Sequence, residues 1–210
     1  GYMRDGRRDA ALRAIKKGLA IDSDSAELHN VLAYYYVTDG EDVLAEKEYK
    51  EALSDDSSYT ATYLNYGVFL YRHNRIDEAC EKFAKATEDV MYAKRDAAFL
   101  NYGTCLKKQG KMKEAEEAFR RSYINNARNA SVILEMAELK FETGEFDQCS
   151  QLYEKFLMES GQNAQSLWLG IRLAHVMKQE DKVSSYALLL KNHFAMSPQY
   201  SEYKAWAKGK

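Results

Sequence analysis

The sequence predicts an all-α chain of about six antiparallel helical hairpins, the first of them truncated, stacked into a superhelix and closed by a C-terminal capping helix. Three observations carry that expectation. A small residue flanked by charge recurs at Ala11, Ala45, Ala79, Ala115 and Cys149, in steps of 34, 34, 36 and 34 residues. Four residues after each stands a large one: Ile15, Tyr49, Phe83, Phe119 and Tyr153. One proline and eleven glycines in 210 residues, 30% of them charged and 46% hydrophobic, leave too few breakers for the many turns of an all-β fold.

Each phase has a physical meaning. Glycine or asparagine precedes each small residue by five positions, at Gly6, Gly40, Asn74, Gly110 and Gly144. These residues tolerate positive φ and so end the first helix of a hairpin. A second small position recurs at Ala33, Gly67, Gly103 and Ala137. Small residues on both helices let the two backbones approach closely. The large residue four on lies on the same helical face and fills the space toward the next hairpin. One hairpin cannot bury its apolar face alone, so neighbours stack.

In order, residues 1–25 read as the tail of one helix, a turn at Gly6 and a complete second helix from Arg7 to Ala20. Complete units follow at 26–59 and 60–95, the latter with two extra residues in a longer loop, Asp89 to Lys94. Units at 96–129 and 130–163 come next, then a degenerate one at 164–197 in which Ile171 and Val183 replace small residues. Residues 198–210 read as a short capping helix that starts at Pro198, a favoured first-turn residue, and frays over its charged tail. The whole, 1–210, reads as a single domain. Its opening at Gly1-Tyr2-Met3 reads as the middle of a repeat, so the amino terminus is taken as truncated.

The search for chemistry is mostly negative. The net charge is −2, without the basic stripe of a nucleic-acid binder. No apolar stretch reaches the roughly 18 residues of a membrane span. The histidines, His29, His73, His175 and His193, are isolated in sequence, and no metal-binding pair, nucleophile elbow or phosphate-cradling glycine loop occurs. Cys80, Cys105 and Cys149 are odd in number, have no close spacing and fall on core phases, so they are expected to be buried free thiols. Acidic residues such as Glu46, Glu81, Glu116 and Glu117 fall on solvent phases of second helices. The reading is a binding protein rather than an enzyme, with no cofactor, metal, small-molecule substrate or nucleic acid implied.

The 34-residue period with these residue types resembles the tetratricopeptide repeat over essentially the whole chain. Ser23, Ser57 and Ala127 stand where that repeat usually carries a closing proline. In such a fold the first helix of each unit lines the inner face. Those phases hold Asn30, Val31 and Tyr34; Leu64, Asn65, Val68, Tyr71 and Arg72; Leu100, Asn101, Thr104, Lys107 and Lys108; and Leu134, Glu135, Glu138 and Phe141. An aromatic and aliphatic groove with amides suits a partner's extended segment or helix. Asn65 and Asn101, one unit apart, either bind a partner backbone or hydrogen-bond within the repeat. Tyr34, Tyr35 and Tyr36 cannot all face one core, and Tyr34 is the one expected to be exposed. The candidate groove set is therefore Asn30, Tyr34, Leu64, Asn65, Val68, Tyr71 and Asn101. The chaperone-binding version of the repeat uses a fixed lysine, asparagine and arginine set to hold a carboxylate. Leu64, Val68 and Leu100 stand at matching positions here, which argues against such a clamp.

Several stretches go beyond the generic repeat. They are Asn65-Tyr66-Gly67-Val68-Phe69-Leu70-Tyr71, Leu134-Glu135-Met136-Ala137, the run from Gly161 through Gln162 and Trp168 to Ala174, and the end from Tyr186 through Lys191 and Phe194 to Tyr203. In this order they resemble the type IV pilus biogenesis and stability proteins of the PilF/PilW family, from about Ala10 to Tyr203. Ala195 stands where the family often has proline. The resemblance implies an outer-membrane lipoprotein facing the periplasm, anchored through a lipidated cysteine missing from this chain. It also implies a pilotin that binds the pilus secretin subunit and promotes its localisation and ring assembly. A generic peptide-binding adaptor, or a regulatory repeat domain of a larger enzyme, are the other readings.

Overall fold

The computed structural model describes residues 2–209, with side chains from Arg8 onward. Among these residues the chain is all-α and forms twelve helices: α1 (Tyr2–Ile21), α2 (Ala26–Asp39), α3 (Asp42–Asp55), α4 (Thr60–Arg72), α5 (Ile76–Glu88), α6 (Arg95–Lys108), α7 (Met112–Asn125), α8 (Ala130–Glu142), α9 (Phe146–Ser160), α10 (Ala164–Val176), α11 (Glu180–Phe194) and α12 (Pro198–Lys208). They gather into two compact units, one ending at Lys111 and the other beginning at Met112.

In the N-terminal unit, α2 with α3 and α4 with α5 form hairpins around a shared core. The first hairpin turns at Gly40, whose φ of 77° lets its N–H and that of Glu41 donate to the carbonyls of Val37 and Tyr36. Asn74, at φ 59°, makes the same turn in the second hairpin, with the Arg75 N–H on the Leu70 carbonyl. Ala45 and Ala79 are fully buried, and Tyr49 and Phe83 are each 1% exposed. A Cβ on Gly67 would lie 2.6 Å from Phe83 Cε1, so the hydrogen there is what lets α4 settle against that ring. Tyr49 stacks on Tyr66 at 5.2 Å and tilts against Phe69 at 5.9 Å, joining neighbouring hairpins.

Asx turns take over from the missing prolines. The Asp56 carboxylate accepts from the Ser58 N–H at 2.7 Å, and Asn126 accepts from Arg128 in the same way. The longer loop 89–94 is tied down by Asp89. Its carboxylate accepts from the Met91 N–H at 2.9 Å and from the Thr60 hydroxyl at 2.7 Å.

Four expectations change in this unit. The turn at Gly6 does not form, and α1 runs unbroken from Tyr2 to Ile21. Glycine inside a helix costs only about 1 kcal/mol, which the rest of a 20-residue helix absorbs. Ala11, expected to be a close-packing position, is accordingly exposed. The close approach falls instead at Gly18, where a Cβ would lie 2.7 Å from Leu28 Cδ1. Cys80 and Cys105 are not free thiols: they form a disulfide linking α5 to α6, with Cα atoms 5.6 Å apart. Both lie on core phases of helices that pack together, so the step from one hairpin to the next brings them face to face. Glu46 is not on a plain solvent face. Its carboxylate accepts from Arg75 Nη1 at 2.8 Å and from the Tyr66 hydroxyl at 2.9 Å, bridging α3 to the second hairpin. The Arg75 guanidinium, backed by Lys50 and Tyr66, holds Glu46 at about 2 against the desolvation of its partial burial.

In the C-terminal unit, α8 with α9 and α10 with α11 form hairpins. Gly144 turns the first at φ 80°, and Lys178 turns the second at φ 59°, an uncommon conformation for a lysine. Gly170 restores the small position apparently lost at Ile171. A Cβ there would collide with the Tyr153 hydroxyl and lie 3.0 Å from Tyr186 Cδ2. The close approach has moved one residue toward the amino end of α10, leaving Ile171 fully buried in the core. Cys149 is a buried free thiol, and burial pushes it up to about 12. Glu138, 6% exposed, is paired with Arg172 at 2.6 Å, and that guanidinium lies over the rings of Phe141 (4.8 Å) and Trp168 (5.2 Å). At the end, the Ser197 side chain caps α12 and Pro198 occupies its first turn. The helix covers the apolar end of α10 by packing Trp206 and Tyr203 against Trp168 at 5.8 and 6.3 Å.

Candidate partner-binding groove

The first helices of the N-terminal unit, α2, α4 and α6, lie side by side and leave two adjoining hollows along their line. The first, about 160 Å³, is walled by Tyr34, Val37 and Thr38 of α2 and by Asn65, Val68 and Arg72 of α4, with Tyr49 and Phe69 behind them. The second, about 290 Å³, is formed by Val68, Tyr71 and Arg72 of α4 with Asn101 and Thr104 of α6, and the Phe83 ring closes its back. Val68 and Arg72 belong to both. These side chains are on one line because Asn65, Val68 and Arg72 follow one another at i, i+3 and i+7, which is one face of a helix.

The floor is buried and mainly apolar. Tyr49 and Phe83 are the large residues of α3 and α5 that hold the hairpins together, and burial pushes the Tyr49 hydroxyl well above its ordinary pKa. The rim is accessible: Tyr34 is 61% exposed, as expected of the Tyr34–Tyr36 run, and Arg72 is exposed. Polar capacity comes from Asn65, Asn101 and Thr104, although Thr104 already donates to the Leu100 carbonyl at 3.0 Å.

Of the seven groove residues read from the sequence, the structure brings Tyr34, Asn65, Val68, Tyr71 and Asn101 to these hollows. It withdraws two. Leu64 is 6% exposed and part of the core, because it lies one residue round the helix from Asn65, on the side facing the next helix. Asn30 is equally buried, and its side-chain oxygen accepts from Asn65 Nδ2 at 3.0 Å. Asn65 is thus tied within the repeat, one of the two alternatives its position allowed. Tyr49 and Phe83 were legible as packing residues, but not as the back wall of a groove. That role appears only once the neighbouring first helices are in place, with the two buried rings lying beneath the hollows.

The disulfide borders the second hollow. Cys80 is one helical turn before Phe83, and Cys105 follows Thr104. Among the described residues, no cluster of three or more His, Cys, Asp or Glu side chains could hold a metal, and no helix is long and apolar enough to cross a membrane.

Helical hairpins of this kind, with an open face of aromatic and amide side chains, define a tetratricopeptide-repeat protein. The chain matches the tetratricopeptide repeat family over residues 1–61 and 67–130. It is also 38% identical to the type IV pilus assembly protein PilF of Pseudomonas aeruginosa, across 98% of this chain and 81% of that relative. The solved structure of Pseudomonas aeruginosa PilF superposes with a TM-score of 0.84 over 98% of this chain and 92% of that one. PilW, a widely conserved type IV pilus biogenesis factor, is 26% identical with a TM-score of 0.82, covering 96% and 93%. The chain therefore belongs to the PilF/PilW family of tetratricopeptide-repeat proteins of type IV pilus biogenesis.

Proposed function

We propose that this chain is a periplasm-facing pilotin: a scaffold that binds the type IV pilus secretin subunit and promotes its delivery to the outer membrane and its assembly into a ring. The observation that carries the reading is the pair of adjoining hollows on the first helices, apolar at the back and open at the rim. A partner's segment can seat side chains there without any bond being made or broken. Tyr34 offers a large contact area at little entropic cost, and Val68, shared by both hollows, is the centre of contact. In this reading the chain is held at the outer membrane by a lipid attached upstream of the sequence described. The Cys80–Cys105 disulfide supports an envelope location, since such bonds persist in oxidising compartments such as the bacterial periplasm.

The test is co-purification of the chain with periplasmic fragments of the secretin, alongside secretin multimers in outer-membrane fractions of a strain lacking the gene. Wild type is expected to capture a fragment and restore multimers. Val68→Asp, which puts a charge at the wall shared by the two hollows, is expected to do neither. Val68 is half-buried against the core, so melting is followed alongside. Tyr34→Ala, at an exposed ring, is the variant expected to weaken capture while melting normally. Capture that survives Val68→Asp would move the binding site away from the groove. No capture of any fragment at micromolar concentration would overturn the pilotin reading.

A further inference from the structure

Resting on the reading of the groove as the partner site, we propose that it selects a segment carrying two carboxylates about three residues apart, with an apolar side chain between them. Arg72 is the single charged residue lining either hollow among the described residues, and it lies on the wall they share. Lys108 occupies in α6 the place that Arg72 occupies in α4. Each is the last residue of its helix and follows a groove asparagine by seven positions, Asn65 for Arg72 and Asn101 for Lys108. Both are exposed, and neither has a carboxylate partner within the described chain.

Several other cations near helix ends are paired: Arg75 with Glu46 and Glu78, Lys85 with Glu88, and Lys140 with Glu116 and Glu145. Lys191 and Lys208, in the last turns of α11 and α12, are not paired among the described residues, but they border neither hollow. A cation at a helix C-terminus is favoured by the helix dipole, which accounts for a basic residue at these positions. It does not account for two successive ones left without a counter-ion beside hollows that hold no acid. The net charge of the chain is −2, so the attraction is local to this face rather than a field of the whole molecule.

The spacing follows from helix packing. Neighbouring helices stand roughly 8–10 Å apart, and a polyproline-type strand advances about 3.1 Å per residue with three residues per turn. Carboxylates at i and i+3 therefore face the same side at the separation of the two cations. The side chain between them is directed at Val68 and the Phe83 ring. An arginine clamps a carboxylate with two parallel bonds, so Arg72 is the main determinant and Lys108 the lesser one.

The experiment uses the full chain and three fluorescein-labelled eight-residue peptides. One carries aspartates at i and i+3 around a leucine, the second has asparagines and the third lysines at those places. Anisotropy titration is expected to rank aspartate over asparagine by about tenfold, with no binding of the lysine peptide. The preference should disappear in Arg72→Met, shrink in Lys108→Met and weaken in 0.5 M salt (roughly a fourfold shorter screening range than in dilute buffer). Equal binding of the aspartate and asparagine peptides, both lost in Val68→Asp, would overturn the acidic preference and leave the groove standing. So would a captured secretin fragment whose affinity is the same in Arg72→Met. No binding of any peptide, with capture of the secretin fragment unaffected by Val68→Asp, would overturn the groove reading and this inference together.

Discussion

The disulfide between Cys80 and Cys105 closes a loop of 25 residues that contains the end of α5, the 89–94 connection and most of α6. In the chain-entropy description, constraining a loop of that length removes about 12 cal/mol/K from the unfolded ensemble, or about 3.5 kcal/mol at room temperature. Repeat arrays are held by contacts between neighbours, so the loss on reduction concentrates where α5 meets α6. Urea unfolding followed by circular dichroism, with and without a phosphine reductant, measures it directly. With a slope of about 2–3 kcal/mol/M the midpoint should fall by roughly 1–2 M on reduction. The double variant Cys80→Ala, Cys105→Ala should not respond to reductant at all. Thiol titration in denaturant should find one free cysteine per chain before reduction, Cys149, and three after it. Native Cys149 should resist the reagent, because burial holds its thiol at about 12. The reasoning is refuted if one thiol is found yet the midpoint does not move on reduction. Reduction should also weaken peptide binding, since the bond joins the helix that supplies Phe83 to the helix that supplies Asn101 and Thr104.

Four other perturbations follow from the same structure. Gly67→Ala drives a methyl to within 2.6 Å of the buried Phe83 ring. A loss of about 1–2 kcal/mol is expected, overpacking exceeding the gain in helix propensity. Thermal melting reads it, and Ala79→Leu, at a fully buried position, should cost about 1–3 kcal/mol. Glu46 is held at about 2 by Arg75, against an ordinary 4.5, so its contribution is complete above pH 4.5 and is lost as pH falls toward 2. Glu46→Gln should therefore flatten the acid limb of a stability-versus-pH curve by about 1–2 kcal/mol, allowing for solvent screening of a side chain still 22% exposed. Tyr34→Ala removes a ring that is 61% exposed, so the melting temperature should hold while capture of the secretin fragment weakens at least tenfold. A large fall in stability would place that ring in the core instead.

The family resemblance was legible in the order of short stretches from Asn65 to Tyr203, and the 38% identity to PilF agrees with it. Within the groove, helical spacing alone pointed to Tyr34, Asn65, Val68, Tyr71 and Asn101. It erred on Leu64, adjacent in sequence to the lining Asn65, and on Asn30, which is buried against Asn65. Neighbouring helical residues differ by only about 100° in direction, so a residue at the edge of the inner face goes to the core or to solvent according to how the next helix is tilted.

Sequence by itself determined the alternation of helix and turn, because the small, large and turn-forming residues repeat in a fixed order that only a stacked hairpin satisfies. Tertiary structure decided what depends on distances between separate helices. It joined Cys80 to Cys105, moved the close approach from Ile171 to Gly170, and drew Glu46 from the solvent face into a bridge with Arg75. It also set Tyr49 and Phe83, both buried, at the back of a groove. Periodicity is a local property, fixed by backbone geometry along one helix. Which side chains meet is fixed by how far one helix stands from the next, and no spacing along the chain records that.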